Sequence, residues 1–321
     1  MADPMRKVLV LNPIHPDGLA RLAADPGVEL VGPGDITPEN LPGHLAGAEA
    51  IIVRGTAIDR PLLAQAQRLR LVVRHGVGYD SVDVPALQER GIILAITPEA
   101  NALSVAEHTL MLMLSLSRQI ARFNASVRSG AWVVPGQSPT RDLFGQTVLL
   151  LGFGRIGTRV AKLCAAFGMR VLVHDPAIPA NTIRGLGFLP APDRAAALAE
   201  AEIVSLHCPS NALTRNMVDD AFLAQMRPDA LLINAARGTL VDEAALERAL
   251  ARGHLRGVGI DVIAEEPMRE VPAFLAHERV LVTPHVAAST AEGLHRMALA
   301  SADNVLQFFA GALSPEAIVT A

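Results

Sequence analysis

The chain has 321 residues, half of them hydrophobic, and a formal net charge of −4. That length exceeds one ordinary domain and leads to an expectation of two, each with its own core. The near-neutral balance excludes a basic nucleic-acid footprint and a disordered charged tail, and two cysteines, Cys164 and Cys208, are too few for a disulfide framework and point to a reducing cytoplasm.

The opening MADPMRKVLVLNP reads as a first strand rather than a signal peptide, because Asn12 and Pro13 interrupt its apolar stretch and no small-residue cleavage site follows. From there short β-type runs alternate with helical segments, the pattern of parallel sheets with crossover helices. The first series covers 7–11, 28–31, 50–53, 71–73 and 92–95. A helix is expected over 101–120, where Ser104 to Glu107 resembles a capping box and the body is apolar on nearly every face. Such a helix must be covered on several sides, either between two domains or in a subunit interface. Its most apolar stretch, 109–117, falls far short of the ~20 residues that span a bilayer. Residues 129–139, with the sole tryptophan Trp132, read as a loop or arm. The second series covers 147–151, 171–174, 203–206, 231–234, 258–260 and 280–282, and a second long helix follows over 289–309. Two doubly wound α/β sheets are expected, the first domain being discontinuous if that last helix returns to it.

Between the strand at 147–151 and the helix after it lies Gly152-Phe-Gly154-Arg-Ile-Gly157, a dinucleotide fingerprint in its proper context. Gly152 permits the tight turn, Gly154 lets a pyrophosphate approach the backbone, and Gly157 allows close helix–strand packing. The helix start at Arg155 and Ile156 offers free amides to the phosphates. Asp175, 18 residues beyond Gly157 at the end of the next strand, is placed to accept hydrogen bonds from a ribose diol. A carboxylate there repels a 2′-phosphate, and no Arg or Lys follows until Arg184, so NAD is favoured over NADP.

Three further residues fall at or past strand ends. Arg237 in INAARG could clamp a carboxylate through two parallel hydrogen bonds while polarising the adjacent carbonyl. His285 in TPH can give a proton to a forming alkoxide and take it back near neutral pH. Glu266 in DVIAEEP would orient that ring and stabilise its charged form. The combination points to hydride transfer on a carboxylate-bearing substrate.

These segments, with VRHGVGYDSVD at 73–83 and ANALSVAEHTLMLMLSLSRQI at 100–120, resemble the NAD-dependent D-isomer-specific 2-hydroxyacid dehydrogenases, D-3-phosphoglycerate and D-glycerate dehydrogenases among them, over almost the whole chain. The resemblance implies that Arg237, Glu266 and His285 form the catalytic trio and that Asp261 holds the nicotinamide carboxamide, with Pro209 and Ala235 in the cofactor-binding set. It implies a flavodoxin-like substrate domain of residues 1–99 and 289–321, a Rossmann NAD-binding domain of residues 100–288, a cleft between them and a homodimer built on the cofactor domains. Two departures stand out: Gln146 where a Lys is usual, expected to be neutral, and Ala287 for a frequent Gly, expected to alter the local backbone.

For the substrate, Gly76, Val77 and Gly78 follow a strand and could form an anion-binding nest, a role that the resemblance also assigns to this loop. Arg54 and Arg74 end strands of the first domain and would suit a second anionic group, or else lie on the surface. His75 and Tyr79 lie beside the loop, whereas His108 and His207 read as structural or cofactor-adjacent. The expected substrate is a small anionic acid of the hydroxypyruvate, glyoxylate or phosphohydroxypyruvate type. The alternatives are an NADH-sensing corepressor on the same fold and oxidation of formate or phosphite.

Overall fold

The computed structural model describes residues 5–132, 136 and 140–320, so most of the arm expected at 129–139 lies outside the described residues. The chain divides into two compact units, one of residues 1–101 and 289–321 and one of residues 102–288.

The first unit holds a five-stranded parallel sheet of β1 (Arg6–Val10), β2 (Val28–Val31), β3 (Ala50–Val53), β4 (Leu71–Arg74) and β5 (Ile93–Ala95), in the order β2-β1-β3-β4-β5. All of β3 is buried, as befits a central strand with helices on both faces. The crossovers are α1 (Pro16–Ala23), α2 (Leu41–Gly47), α3 (Arg60–Gln65) and α4 (Val84–Glu89). Two start on an aspartate cap, Asp59 accepting from the Leu62 amide and Asp83 from that of Ala86. The order reverses between β1 and β3, where Asn12 fills the switch point. Its Oδ1 accepts from the amides of Arg54 at 2.9 Å and Gly55 at 3.0 Å, and its Nδ2 donates to Thr56 Oγ1.

The second unit opens with α5 (Ala102–Ser117), which starts two residues before Ser104, so the expected capping box is not its cap: Ser104 is buried inside the first turn. Gln119, at φ +49°, breaks the helix before α6 (Ile120–Arg128). There follow β6 (Thr147–Leu151), α7 (Arg155–Ala166), β7 (Arg170–His174), α8 (Ala180–Gly185), β8 (Leu189–Pro190), α9 (Arg194–Glu200), β9 (Ile203–Leu206), α10 (Asp220–Gln225), β10 (Leu231–Asn234), α11 (Glu243–Ala251), β11 (Gly257–Ile260) and β12 (Val280–Val282). The seven strands are parallel in the order β12-β11-β10-β9-β6-β7-β8. Helix α5 lies against this unit's own sheet: a Cβ on Gly259 would sit 3.1 Å from Leu116 Cδ1 and 3.2 Å from Leu112 Cβ, so the bare glycines of β11 are what let the helix approach. Met111 and Leu103 on its other side stay exposed. Strand β8, two residues at the sheet edge, has too short an apolar run to be read from sequence.

The chain then returns to the first unit as α12 (Ala291–Phe309), capped by Thr290. Asn304 Nδ2 donates to the Ile96 carbonyl at 2.8 Å, and α12 packs so closely on α1 that a Cβ on Gly18 would meet that of Ala298 at 2.8 Å. Among the described residues no helix is long and apolar enough to cross a membrane.

Candidate active site

In the second unit the strand order reverses between β6 and β9, so the loops leaving these strands diverge and open a crevice at the carboxyl edge. Gly152 has φ +104°, and a Cβ there would lie 2.6 Å from the His207 carbonyl carbon and 2.7 Å from the Cys208 amide nitrogen. A Cβ on Gly157 would lie 2.3 Å from the Gly152 oxygen, whereas nothing comes within 4 Å of one on Gly154, the position expected to face a pyrophosphate. Gly154 is the N-cap of α7, so the amides of Arg155 and Ile156 begin the helix at that opening. Asp175, half-buried after β7, already accepts from the Phe153 amide at 2.7 Å and the Ala177 amide at 2.9 Å, which ties the acid to the fingerprint turn and leaves each oxygen a second lone pair. Pro209 is exposed in the loop after β9, its carbonyl accepting from Thr214 Oγ1, and Ala235 is half-buried directly after β10. His207 is bonded to Ser205 Oγ at 2.9 Å, and burial holds it down to about 4 and hence neutral.

The trio converges at the ends of β10, β11 and β12. His285 Nδ1 and Glu266 Oε2 lie 2.5 Å apart, and the other Glu266 oxygen accepts from the Ile263 amide at 2.9 Å. The hydrogen bond to Glu266 raises the pKa of His285 above the ordinary value, against the effect of burial. On Glu266 burial pushes upward, but the bond to His285, its charge, the Ile263 amide and Arg237 together hold the carboxyl below its usual range. Arg237 is half-buried and donates from Nη1 to the Ala236 carbonyl at 2.7 Å. Its turn is stapled by fully buried Asn234, whose side chain bonds the Arg237 carbonyl and the Ala236 amide. Gly238 can carry no side chain, since a Cβ would lie 1.9 Å from the Ile263 carbonyl.

His285 itself has φ +52°, a left-handed conformation that L residues adopt rarely. Asp261, 2 % exposed, holds it there: its Oδ1 accepts from Thr283 Oγ1 at 2.6 Å and the Val286 amide at 2.9 Å, its Oδ2 from the Ala287 amide at 2.8 Å, and its carbonyl from the His285 amide at 2.7 Å. A buried carboxylate with about four acceptor sites thus spends three on this turn. His108 completes the group through Thr283 Oγ1 at 3.0 Å, a structural place. Thr283, Asn234 and Gly238 were not singled out by sequence reasoning, although each lies inside a quoted motif. Ala287 is buried with its amide on Asp261, and the positive φ falls at His285, so alanine meets no left-handed conformation at 287. Gln146 donates to the Asp142 carbonyl.

In the first unit the Gly76 amide donates to Thr97 Oγ1 at 3.0 Å, so the nest expected at Gly76, Val77 and Gly78 comes down to the last two amides. Arg74 donates to the carbonyls of Gly78 at 2.6 Å, His75 at 3.2 Å and Val53 at 3.3 Å, which makes it a staple of its own loop. Arg54 is exposed, with one long contact to Ser289 Oγ at 3.4 Å. His75 is buried between these arginines; burial and then Arg54 bring it down to about 4, and neither ring nitrogen has a partner among the described residues.

The chain is 40 % identical over 314 residues to D-3-phosphoglycerate dehydrogenase of Mycobacterium tuberculosis, covering 97 % of this chain and 58 % of that protein. It is 35 % identical over 315 residues to D-3-phosphoglycerate dehydrogenase of Methanocaldococcus jannaschii, covering 98 % and 59 %. It therefore spans about three-fifths of the length of these curated relatives. Among solved structures, D-lactate dehydrogenase from Aquifex aeolicus, complexed with NAD and lactic acid, superposes with a TM-score of 0.86 at 27 % identity, covering 98 % of this chain and 99 % of that one. A glyoxylate reductase from Paecilomyes thermophila gives 0.84 at 29 % identity, covering 99 % and 98 %. Residues 110–287, the fingerprint and trio included, match the family described as D-isomer specific 2-hydroxyacid dehydrogenase, NAD binding domain, and the chain belongs to that family.

Proposed function

We propose that this protein interconverts a small 2-oxo acid and the corresponding D-2-hydroxy acid, with NAD as the redox partner. The observation that carries the reading is the 2.5 Å contact between His285 and Glu266 beside Arg237, in the same unit as a dinucleotide loop whose Gly154 is open. The open Gly154, the N-terminus of α7 beside it and the spare lone pairs of Asp175 fit a dinucleotide. NAD bound there supplies or accepts the hydride. Arg237 binds the substrate carboxylate and draws electron density from the neighbouring carbonyl. His285, kept charged by Glu266, presents its Nε2 proton to the developing alkoxide in reduction and takes it back in oxidation. Glu266 holds the ring through Nδ1 and stabilises the imidazolium. Asp261 fixes the backbone from which the ring projects. Taken by itself, the first unit offers the amides of Val77 and Gly78 as anion-binding donors and an exposed cation at Arg54, a chemistry that suits an acid with two anionic groups.

The protein is further proposed to be cytoplasmic and homodimeric. A second copy is supported by a groove of about 350 Å³ lined by Leu110, Met111, Leu114, Ile120 and Leu163. The test of the function is NADH oxidation with glyoxylate, hydroxypyruvate, pyruvate, phosphohydroxypyruvate, 2-oxoglutarate and sulfopyruvate. Turnover of at least one is expected, with a phosphorylated or sulfonated acid preferred. Firm NADH binding without turnover of any of them would leave a sensor of the cofactor instead.

A further inference from the structure

On the first unit, three side chains outside the trio and the fingerprint gather where α1 meets α12. His295 Nε2 on α12 lies 2.9 Å from Asp17 Oδ2, in the first turn of α1. His15 Nδ1, at the cap of the same helix, lies 3.8 Å from that oxygen. The two imidazoles meet edge to face with centroids 4.8 Å apart. One ring nitrogen from each histidine and one carboxylate oxygen all fall within 4.8 Å of one another, the single such grouping of metal-ligating residues among the described residues.

We propose that His15, Asp17 and His295 bind one divalent transition-metal ion of borderline softness, zinc being the reference, and that the ion clamps α1 to α12. Two imidazoles and a carboxylate are a donor set that suits zinc with water in the remaining position. Nickel and copper take imidazole as well, while magnesium and calcium require mostly oxygen. The scaffold is firm: α1 and α12 touch at Gly18 and Ala298, and Arg21 Nε bonds Asp303 Oδ1 at 3.0 Å one turn further on. Little is given up on binding. His15 Nδ1 releases a long 3.3 Å contact from the Asp17 amide, and the His295–Asp17 contact is replaced by two bonds to one ion, with the Nε2 proton of His295 moving to Nδ1 or to solvent. Because Asp17 and His295 are 278 positions apart in sequence, the ligands meet only in the folded chain, and zinc stabilises by binding that state alone.

The test uses the full-length, tag-free protein after chelator treatment, titrated with zinc chloride by calorimetry and with cobalt chloride by visible absorption. One ion per chain is expected, with a rise in Tm on the order of 5 °C at saturating zinc. His295→Ala and Asp17→Asn each weaken zinc binding by at least roughly tenfold and abolish the rise. Arg21→Ala removes an ion pair between the same helices but no ligand, and keeps both. All these positions are on the surface, so the variants fold. Absence of zinc binding in the wild type, equal binding by His295→Ala and Asp17→Asn, or preference for magnesium or calcium over zinc overturns the proposal.

Discussion

Two turns at the carboxyl edge of the seven-stranded sheet hold a residue at positive φ, and they do so by opposite means. At Gly152, φ +104°, the answer is subtraction: no side chain fits against the backbone of His207 and Cys208, and glycine adopts the angle without strain. At His285, φ +52°, the side chain is the purpose of the turn, so glycine is excluded and the strain must be held from outside. Asp261 does this with three side-chain acceptor contacts and its carbonyl. A turn pressed against neighbouring backbone calls for a missing side chain, whereas a turn that must present an imidazole calls for a strained residue with a buried support.

The largest effect that sharpens this contrast is His285→Asn. Activity should fall by roughly a thousandfold, the scale of a lost general acid. Stability should hold or rise slightly, because Asn tolerates the left-handed region better than His. Steady-state kinetics with urea unfolding checks both halves, and a loss above about 1 kcal/mol would remove strain from the account of this turn. Gly152→Ala reverses the pattern. The neighbouring atoms are backbone and cannot swing away, so a loss of about 2–4 kcal/mol is expected together with weakened NADH binding. Wild-type stability in that variant would mean the loop relaxes freely.

Asp261→Asn tests the external support. It replaces one acceptor by an NH₂ facing a backbone amide or the Thr283 hydroxyl, for an expected loss of about 1–3 kcal/mol, with kcat lowered while NADH still binds. Unaltered unfolding would mean the turn holds itself. Asp175→Ala should narrow the preference for NAD over NADP by roughly tenfold, the worth of about 1.4 kcal/mol, since acceptor and repulsion vanish together. The ratio of kcat/KM for the two cofactors decides it, and an unchanged ratio separates Asp175 from the ribose.

The smallest effect is a displacement of a pH profile. Glu266 raises the pKa of His285, so reduction, which needs the proton, should decline only as pH rises through that elevated value. Oxidation needs the neutral ring and should decline as pH falls through it. Glu266→Gln removes the charge and lowers the histidine pKa, moving the high-pH limb of reduction downward and letting oxidation persist to more acidic pH. Profiles that overlay those of the wild type would show that Glu266 does not set the proton affinity of the ring.

What was legible in the chain alone is what depends on local pattern. Buried parallel strands are continuous apolar runs, so β3, β6, β9 and β10 could be bounded from their residues, and a fingerprint glycine announces itself between strand and helix. Residues at strand ends were legible as candidates for the same reason, since the topology brings those ends to one edge. The two-residue β8 and the start of α5 were not, because an edge strand has almost no apolar run and Ser104 looks the same as a cap or as a buried residue within the first turn. Nor could the chain show how donors are shared. That the Gly76 amide is spent on Thr97, that Asp261 supports His285 and that His15 and Asp17 meet His295 are pairings between residues distant in sequence. A hydrogen-bonding residue states its capacity in the sequence, and only the folded chain decides which partner takes it.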